Sequence, residues 1–109
     1  MEKDAGNTEF IFDNVISTYT QQEAIEDGIL IPVGLLASGK PIIFTTHLFD
    51  SGGYEDLSRL LQLIEIGMSL LKKPDPQDTP TMKLRVIEEG RIWVIWNAEG
   101  ITFMRPEDY

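Results

Sequence analysis

The sequence predicts an α+β domain: a mostly antiparallel sheet of four to five strands, one long helix packed on one face, and a short N-terminal helix. Three observations predict it. Residues 82–104 fall into three short runs rich in β-branched and aromatic residues, punctuated by Glu89-Gly90 and Glu99-Gly100. Residues 54–73 repeat apolar side chains at helical spacing, with Glu55 and Asp56 at the start, Lys72 and Lys73 at the end, and Pro74 as the stop. Thr20-Gln21-Gln22-Glu23 has the form of a capping box, in which the threonine hydroxyl and the glutamate carboxylate each accept from the other residue's backbone N–H. A chain of 109 residues suits one domain, spanning residues 1–109.

The elements follow in order. Residues 1–8 lack an apolar pattern and are expected to be disordered, while Phe10-Ile11-Phe12 and Val15-Ile16 supply anchors for a short edge strand. The capped helix should run about two turns, face Ala24 and Ile25 inward, and stop at a left-handed Gly28. Ile29 to Val33 reads as a strand, and Pro32, having no N–H, belongs at an edge or a strand end. Gly34 to Lys40 is a turn region, and Pro41 to Phe49 is the next strand, closed by Asp50-Ser51-Gly52-Gly53. After the long helix, Pro74 to Pro80 is a stiff polar loop. In the meander, Met82, Leu84 and Val86 alternate with Lys83 and Arg85, so the apolar set should be buried and the basic set wet. Arg91 to Asn97 is apolar on both faces, with Ile92, Val94 and Trp96 on one and Trp93 and Ile95 on the other, and reads as the central strand. Ile101 to Met104 completes the sheet.

The long helix has an unusually wide apolar arc. Leu57, Leu60, Leu61, Ile64, Met68 and Leu71 form a stripe expected to pack on the sheet, and Leu63, Ile66 and Leu70 form a second stripe beside it. Gly67, between them, permits close backbone approach. A patch of that size left in water calls for a cover, either residues 10–16 or a partner. Homodimerisation through the 54–73 helix, on Leu63, Ile66 and Leu70, is the expected use.

Composition bounds the function. Zero cysteines exclude disulfides, thiolate metal sites and cysteine nucleophiles, and fit a reducing compartment. No run approaches a membrane span and the polar, acidic start is no signal peptide, so a cytoplasmic location is expected. Net charge is −9, from 18 acids and 9 bases, and residues 1–30 hold seven of those acids with one base. Such a field attracts basic partner surfaces and repels phosphate backbones, so direct nucleic-acid binding is not expected. Lys83, Arg85, Arg91 and Arg105 beside Trp93 have the residue types of a base-stacking face, but Glu88, Glu89 and Glu99 sit among them, and a solvated face is the simpler reading.

For catalysis the chain offers little. His47, the single histidine, would be a base with Asp50 nearby; one histidine cannot build a histidine-rich metal site, and no cofactor motif accompanies it. Gly34 to Lys40 superficially resembles a phosphate loop but has no hydroxyl after the lysine and leads into a strand. Glu26 and Asp27 occupy the last turn of the short helix, where the macrodipole disfavours negative charge; they are either functional or, for Asp27, a cap on the Gly28 turn.

Tyr19-Thr20-Gln21-Gln22-Glu23-Ala24-Ile25-Glu26-Asp27-Gly28-Ile29-Leu30 and the tail Ile101-Thr102-Phe103-Met104-Arg105-Pro106-Glu107-Asp108 resemble the two ends of a bacterial family carried by plasmids, phages and integrated elements. That family has no assigned activity, and the resemblance implies only a mobile-element accessory role. Three functions are weighed. The first is an acidic interaction protein that binds a basic protein surface, a possible polyanion mimic, using Glu23, Glu26 and Asp27. The second is a small-molecule binding domain with a helix–sheet pocket lined by Trp93 or Trp96. The third is a small enzyme using His47 or the Glu26/Asp27 pair.

Overall fold

The computed structural model describes residues 20–109. The disorder expected of residues 1–8 and the edge strand expected within Phe10–Ile16 lie outside the described residues. In chain order the elements are helix α1 (Gln21–Glu26), strands β1 (Leu30–Leu35) and β2 (Pro41–Thr45), helices α2 (Thr46–Ser51) and α3 (Leu57–Lys72), strands β3 (Met82–Ile87), β4 (Ile92–Asn97) and β5 (Gly100–Met104), and a closing 3-10 turn (Pro106–Asp108). The strands form one five-stranded sheet in the order β1-β2-β5-β4-β3. All neighbours are antiparallel except β2 and β5, which run parallel. This is the α+β class the sequence predicts, with β4 between β3 and β5 as the central strand of the meander and β5 in the middle of the whole sheet.

Local chemistry explains the first elements. Thr20 Oγ1 accepts from Glu23 N and Glu23 Oε1 accepts from Thr20 N, both at 3.0 Å, so the capping box is complete. A cap of this kind stabilises a helix by about 1 kcal/mol. At the other end Gly28 adopts φ +78°, its N–H bonds Ile25 O at 3.1 Å, and Ile29 N–H bonds Ala24 O at 2.9 Å. These are the two bonds of a Schellman stop, which only a residue without a Cβ closes cheaply. Pro32 sits in the edge strand β1, beside a register shift between Pro32 and Gly34.

Two expectations need correcting. The strand expected over residues 41–49 ends at Thr45, and residues 46–51 form α2. Thr45 is both a good strand residue and a good cap, and here its Oγ1 accepts from Leu48 N at 3.2 Å, which turns the chain into a helix. The second correction concerns β3. The period of two holds, but Arg85 is buried while Leu84 and Val86 are exposed. Register explains it: Arg85 pairs with Val94 and Lys83 with Trp96, so the basic residues share the face that α3 covers. The long helix also begins later than Tyr54, at Leu57, because Asp56 Oδ1 caps it by accepting from Ser58 N and Arg59 N.

The core lies between α3 and the sheet, built from Leu60, Leu63 and Leu71 of the helix and from Phe44, Ile92, Val94, Ile101 and Phe103 of the strands, with Leu48 of α2 and Tyr54 closing one end. Gly67 is the point of closest approach: a Cβ there would stand 2.5 Å from Phe103 Cζ and 3.5 Å from Val94 Cγ1. That contact fixes how the helix is rolled. It turns Leu63 into the core, at 5% exposure, and leaves Leu57 and Leu61 in water at 64% and 54%. The expected stripes are corrected accordingly. Leu63 does not stand in an exposed row with Ile66 and Leu70; Ile66 is exposed and Leu70 half-buried. On the sheet's other face Ile43, Ile95 and Met104 are also buried, near Trp93, which packs against Tyr109 at 5.6 Å between centroids. No helix among the described residues is long and apolar enough to cross a membrane.

Candidate functional site

The topology sorts the charges to opposite ends of the sheet. The β1–β2 turn, the β4–β5 turn, the start of β3 and the end of α3 meet at one end. That end carries Lys40, Lys72, Lys73, Lys83 and Arg85 against Asp75, Asp78 and Glu99. The other end gathers α1, α2, the start of α3, the β3–β4 turn and the closing 3-10 turn. It carries Glu23, Glu26, Asp27, Asp50, Glu55, Asp56, Glu88, Glu89, Glu107 and Asp108 against only Arg59, Arg91 and Arg105. The charges of the described residues are therefore polarised, with an acidic pole and a lysine pole.

At the lysine pole a cleft of about 210 Å³ opens between α3 and the sheet, lined by Leu36, Met68, Leu71, Trp96 and Ile101 with Lys72 and Lys83 at its rim. Lys83 Nζ lies over the Trp96 ring, 5.4 Å from its centroid. Among the described residues neither rim lysine has a carboxylate within ion-pair distance. Of the two tryptophans proposed for a helix–sheet pocket, the structure therefore places Trp96 in one and puts Trp93 on the opposite face.

The floor of this pole is held by Arg85. Its Nε donates to Leu70 O at 3.0 Å and its Nη2 to Lys73 O at 2.8 Å, so an arginine on a strand satisfies the last carbonyls of α3. Nη1 and Nη2 also reach Asp78 Oδ1 and Oδ2 at 2.7 and 2.8 Å, which ties down the proline-rich loop. Those bidentate bonds from Arg85 hold the Asp78 carboxyl below the usual aspartate range, against the opposing effect of burial. The same pairing raises Arg85 above its already high value.

At the acidic pole His47 stands in the first turn of α2, not on a strand. Its carboxylate partner is Asp108, not Asp50: Nδ1 lies 2.9 Å from Asp108 Oδ1. Thr45 Oγ1 donates to Asp108 Oδ2 at 2.8 Å, and Arg105 N donates to the same oxygen at 3.1 Å. The histidine–carboxylate pair thus doubles as a clasp for the chain's last turn. Neighbouring contacts reinforce it, with Arg91 on Glu107 at 3.0 Å, and Arg105 on Ser51 Oγ and the Gly90 carbonyl. Neither the cleft beside Trp96 nor a second one, lined by Tyr54, Arg59, Leu63, Ile66 and Ile87, includes His47.

The remaining candidates are dispersed. Glu23, Glu26 and Asp27 are exposed on α1; Glu23 is engaged in the capping box, Glu26 accepts from Gln22 Nε2 at 3.2 Å, and Asp27 is the C-cap residue. Lys83, Arg85, Arg91 and Arg105 do not assemble beside Trp93: the first two face α3, Arg91 lies in a turn, and Arg105 points to Ser51 and Gly90. Two site residues escaped sequence reasoning. Asp108 stood in the quoted tail, but nothing local shows that it meets a histidine 61 positions away. Alternation along β3 assigns Lys83 to the wet face, and only the register that pairs it with Trp96 brings it over that ring. Comparison with protein-family models, with curated protein sequences and with solved structures yields no match.

Proposed function

We propose that this chain acts by binding rather than by turnover, presenting its acidic pole to a basic protein surface as a cytoplasmic accessory of a mobile element. The observation that carries this is uncompensated charge. Of fourteen described carboxylates, only Asp78, Glu107 and Asp108 lie within 4.0 Å of a basic or imidazole nitrogen. Of the other eleven, eight stand at the acidic pole and project a field into solvent, and α1 brings three of them onto one short helix. Such a surface raises the encounter rate with a cationic partner and loses reach as salt shortens the Debye length to about 8 Å at physiological strength. Capture of partner proteins from the native host is therefore expected to weaken sharply between low and physiological salt. It should weaken again in the Glu23→Gln, Glu26→Gln, Asp27→Asn triple variant. Salt-independent capture, or capture untouched by the triple variant, removes the polyanion-mimic reading and leaves the charge as a solubility feature.

The exposed flank of α3 favours self-association as a second reading. Leu57 and Leu61 lie on one side of the helix, continuous with the half-buried Ile64 and Met68, and two-fold pairing would bury the same row twice. Sedimentation of the wild type at micromolar concentration should show a dimer, and Leu61→Glu a folded monomer. A wild-type monomer, or a dimer that Leu61→Glu leaves intact, rejects this face. Leu63→Glu, by contrast, should unfold the chain, because Leu63 is core.

A further inference from the structure

We infer that the lysine pole is a binding site for a small apolar carboxylate, its hydrocarbon part on Trp96 and Met68 and its carboxylate between Lys72 and Lys83. The site is independent of the acidic-pole reading and shares no residue with it. The walls set the apolar half of the ligand. Trp96 and Met68 are half-buried, packed on the core and lining the cleft, so a planar or aliphatic group gains contact there without core rearrangement once Lys83, whose Nζ lies 5.4 Å over the Trp96 ring, turns toward the ligand's carboxylate. The volume sets the size. About 210 Å³ lies below the roughly 300–1,000 Å³ of drug-sized pockets, which suits a single ring or a short chain.

The rim sets the charge. Lys72 and Lys83 approach the same opening from α3 and from β3, and neither has a carboxylate partner among the described residues. Asp78, the acid whose charge Lys83 feels, already gives both oxygens to Arg85. Arg85 also bonds the Leu70 and Lys73 carbonyls, which offsets part of the negative end of α3 toward an anion. In a chain of net charge −9 this is the one described region where bases outnumber acids. An anion with an apolar body matches both features; a cation meets repulsion, and a neutral analogue forgoes the lysines.

The test is a titration followed by amide and indole N–H NMR signals, with 3-phenylpropionate as the probe and 3-phenylpropanol as its uncharged counterpart. The acid should shift the Trp96 indole saturably and leave the Trp93 indole, on the opposite face, in place. It should bind about tenfold tighter than the alcohol, and Lys72→Met with Lys83→Met should remove that advantage while leaving the alcohol unaffected. Lys72→Met alone, at an exposed position, repeats the test if the double variant misfolds. Absence of a saturable Trp96 shift, equal binding of acid and alcohol, lysine variants that bind the acid as wild type does, or parallel movement of Trp93 would each overturn the proposal.

Discussion

Gly67→Leu is expected to abolish stable folding, and even Gly67→Ala to lower stability by about 1–2 kcal/mol, against the trend of helix propensity. Alanine in a helix interior is ordinarily favoured over glycine by about 1 kcal/mol. At Gly67 the added Cβ would fall 2.5 and 2.6 Å from Phe103 Cζ and Cε2, far inside van der Waals contact. The ring has nowhere to go. Phe103 is fully buried, stacked on Phe44 at 5.0 Å between centroids, and Phe44 is itself wedged edge-on against Tyr54 at 5.4 Å. The helix must lift off the sheet instead, loosening Leu60, Leu63 and Leu71 together. Overpacking of this kind costs about 1–3 kcal/mol per intrusion and more for a branched side chain. Urea denaturation of Gly67→Ala should show a lower midpoint with an unchanged slope. Ser69→Ala, on the solvent face of the same helix, should be neutral or slightly stabilising. A Gly67→Ala variant as stable as wild type would mean that the helix is not seated on Phe103 as described.

Gly67 also shows what the sequence could and could not reveal. Its place between two apolar stripes was legible, and so was the need for close approach there. The surface it approaches was not, because Phe103 lies in a strand far along the chain. That unknown fixed the roll of the helix, and with it the wrong assignment of Leu57 and Leu61 to the core and of Leu63 to the surface. The same division runs through the fold. Signals spanning a few residues, such as the Thr20 box, the Gly28 stop, Pro32 at an edge and the meander turns, could be read directly. Thr45 could not, since its side chain suits a strand and a cap equally and only the next turn decides between them. For the candidate site, the tryptophan and the lysines were visible as residues, but their convergence depends on the sheet register. The polarity of the charges was hidden for the same reason, since a count along the chain cannot say which turns share an end of a sheet.

The second large effect is expected at Arg85, which faces α3 and not solvent. Alternation made it a wet residue, yet its guanidinium is the hub on which α3, β3 and the proline-rich loop meet, through five hydrogen bonds to four residues. Arg85→Met keeps a flexible stem but takes the guanidinium away from four acceptors, leaving the Lys73 carbonyl and Asp78 Oδ1 without it while Leu70 O and Asp78 Oδ2 keep only the backbone N–H of Lys73 and Asp75. Arg85→Lys cannot substitute, because a single ammonium cannot span a bidentate carboxylate and two carbonyls at once. The side chains keep 9% and 18% exposure, so water reaches the edge of the pair and softens the loss. A fall in melting temperature on the order of 10 °C is nonetheless expected for Arg85→Met, well beyond that for Arg91→Met, whose ion pair is open to solvent. Asp78→Asn should cost less, and the double variant less than the sum, since both changes break the same bonds. The pH dependence carries the sign. The Asp78 pKa is lower in the folded chain than in the unfolded one, so the pair's contribution is complete above the unfolded value of roughly 3.9. As pH falls below that value the unfolded state takes up the proton first, and the contribution drains away until the folded carboxyl is protonated too. Wild-type stability should therefore drop steeply below about pH 4, and Arg85→Met should flatten that part of the curve. An acid limb of unchanged steepness in Arg85→Met would show that the Arg85–Asp78 pair contributes nothing to holding the loop against the sheet.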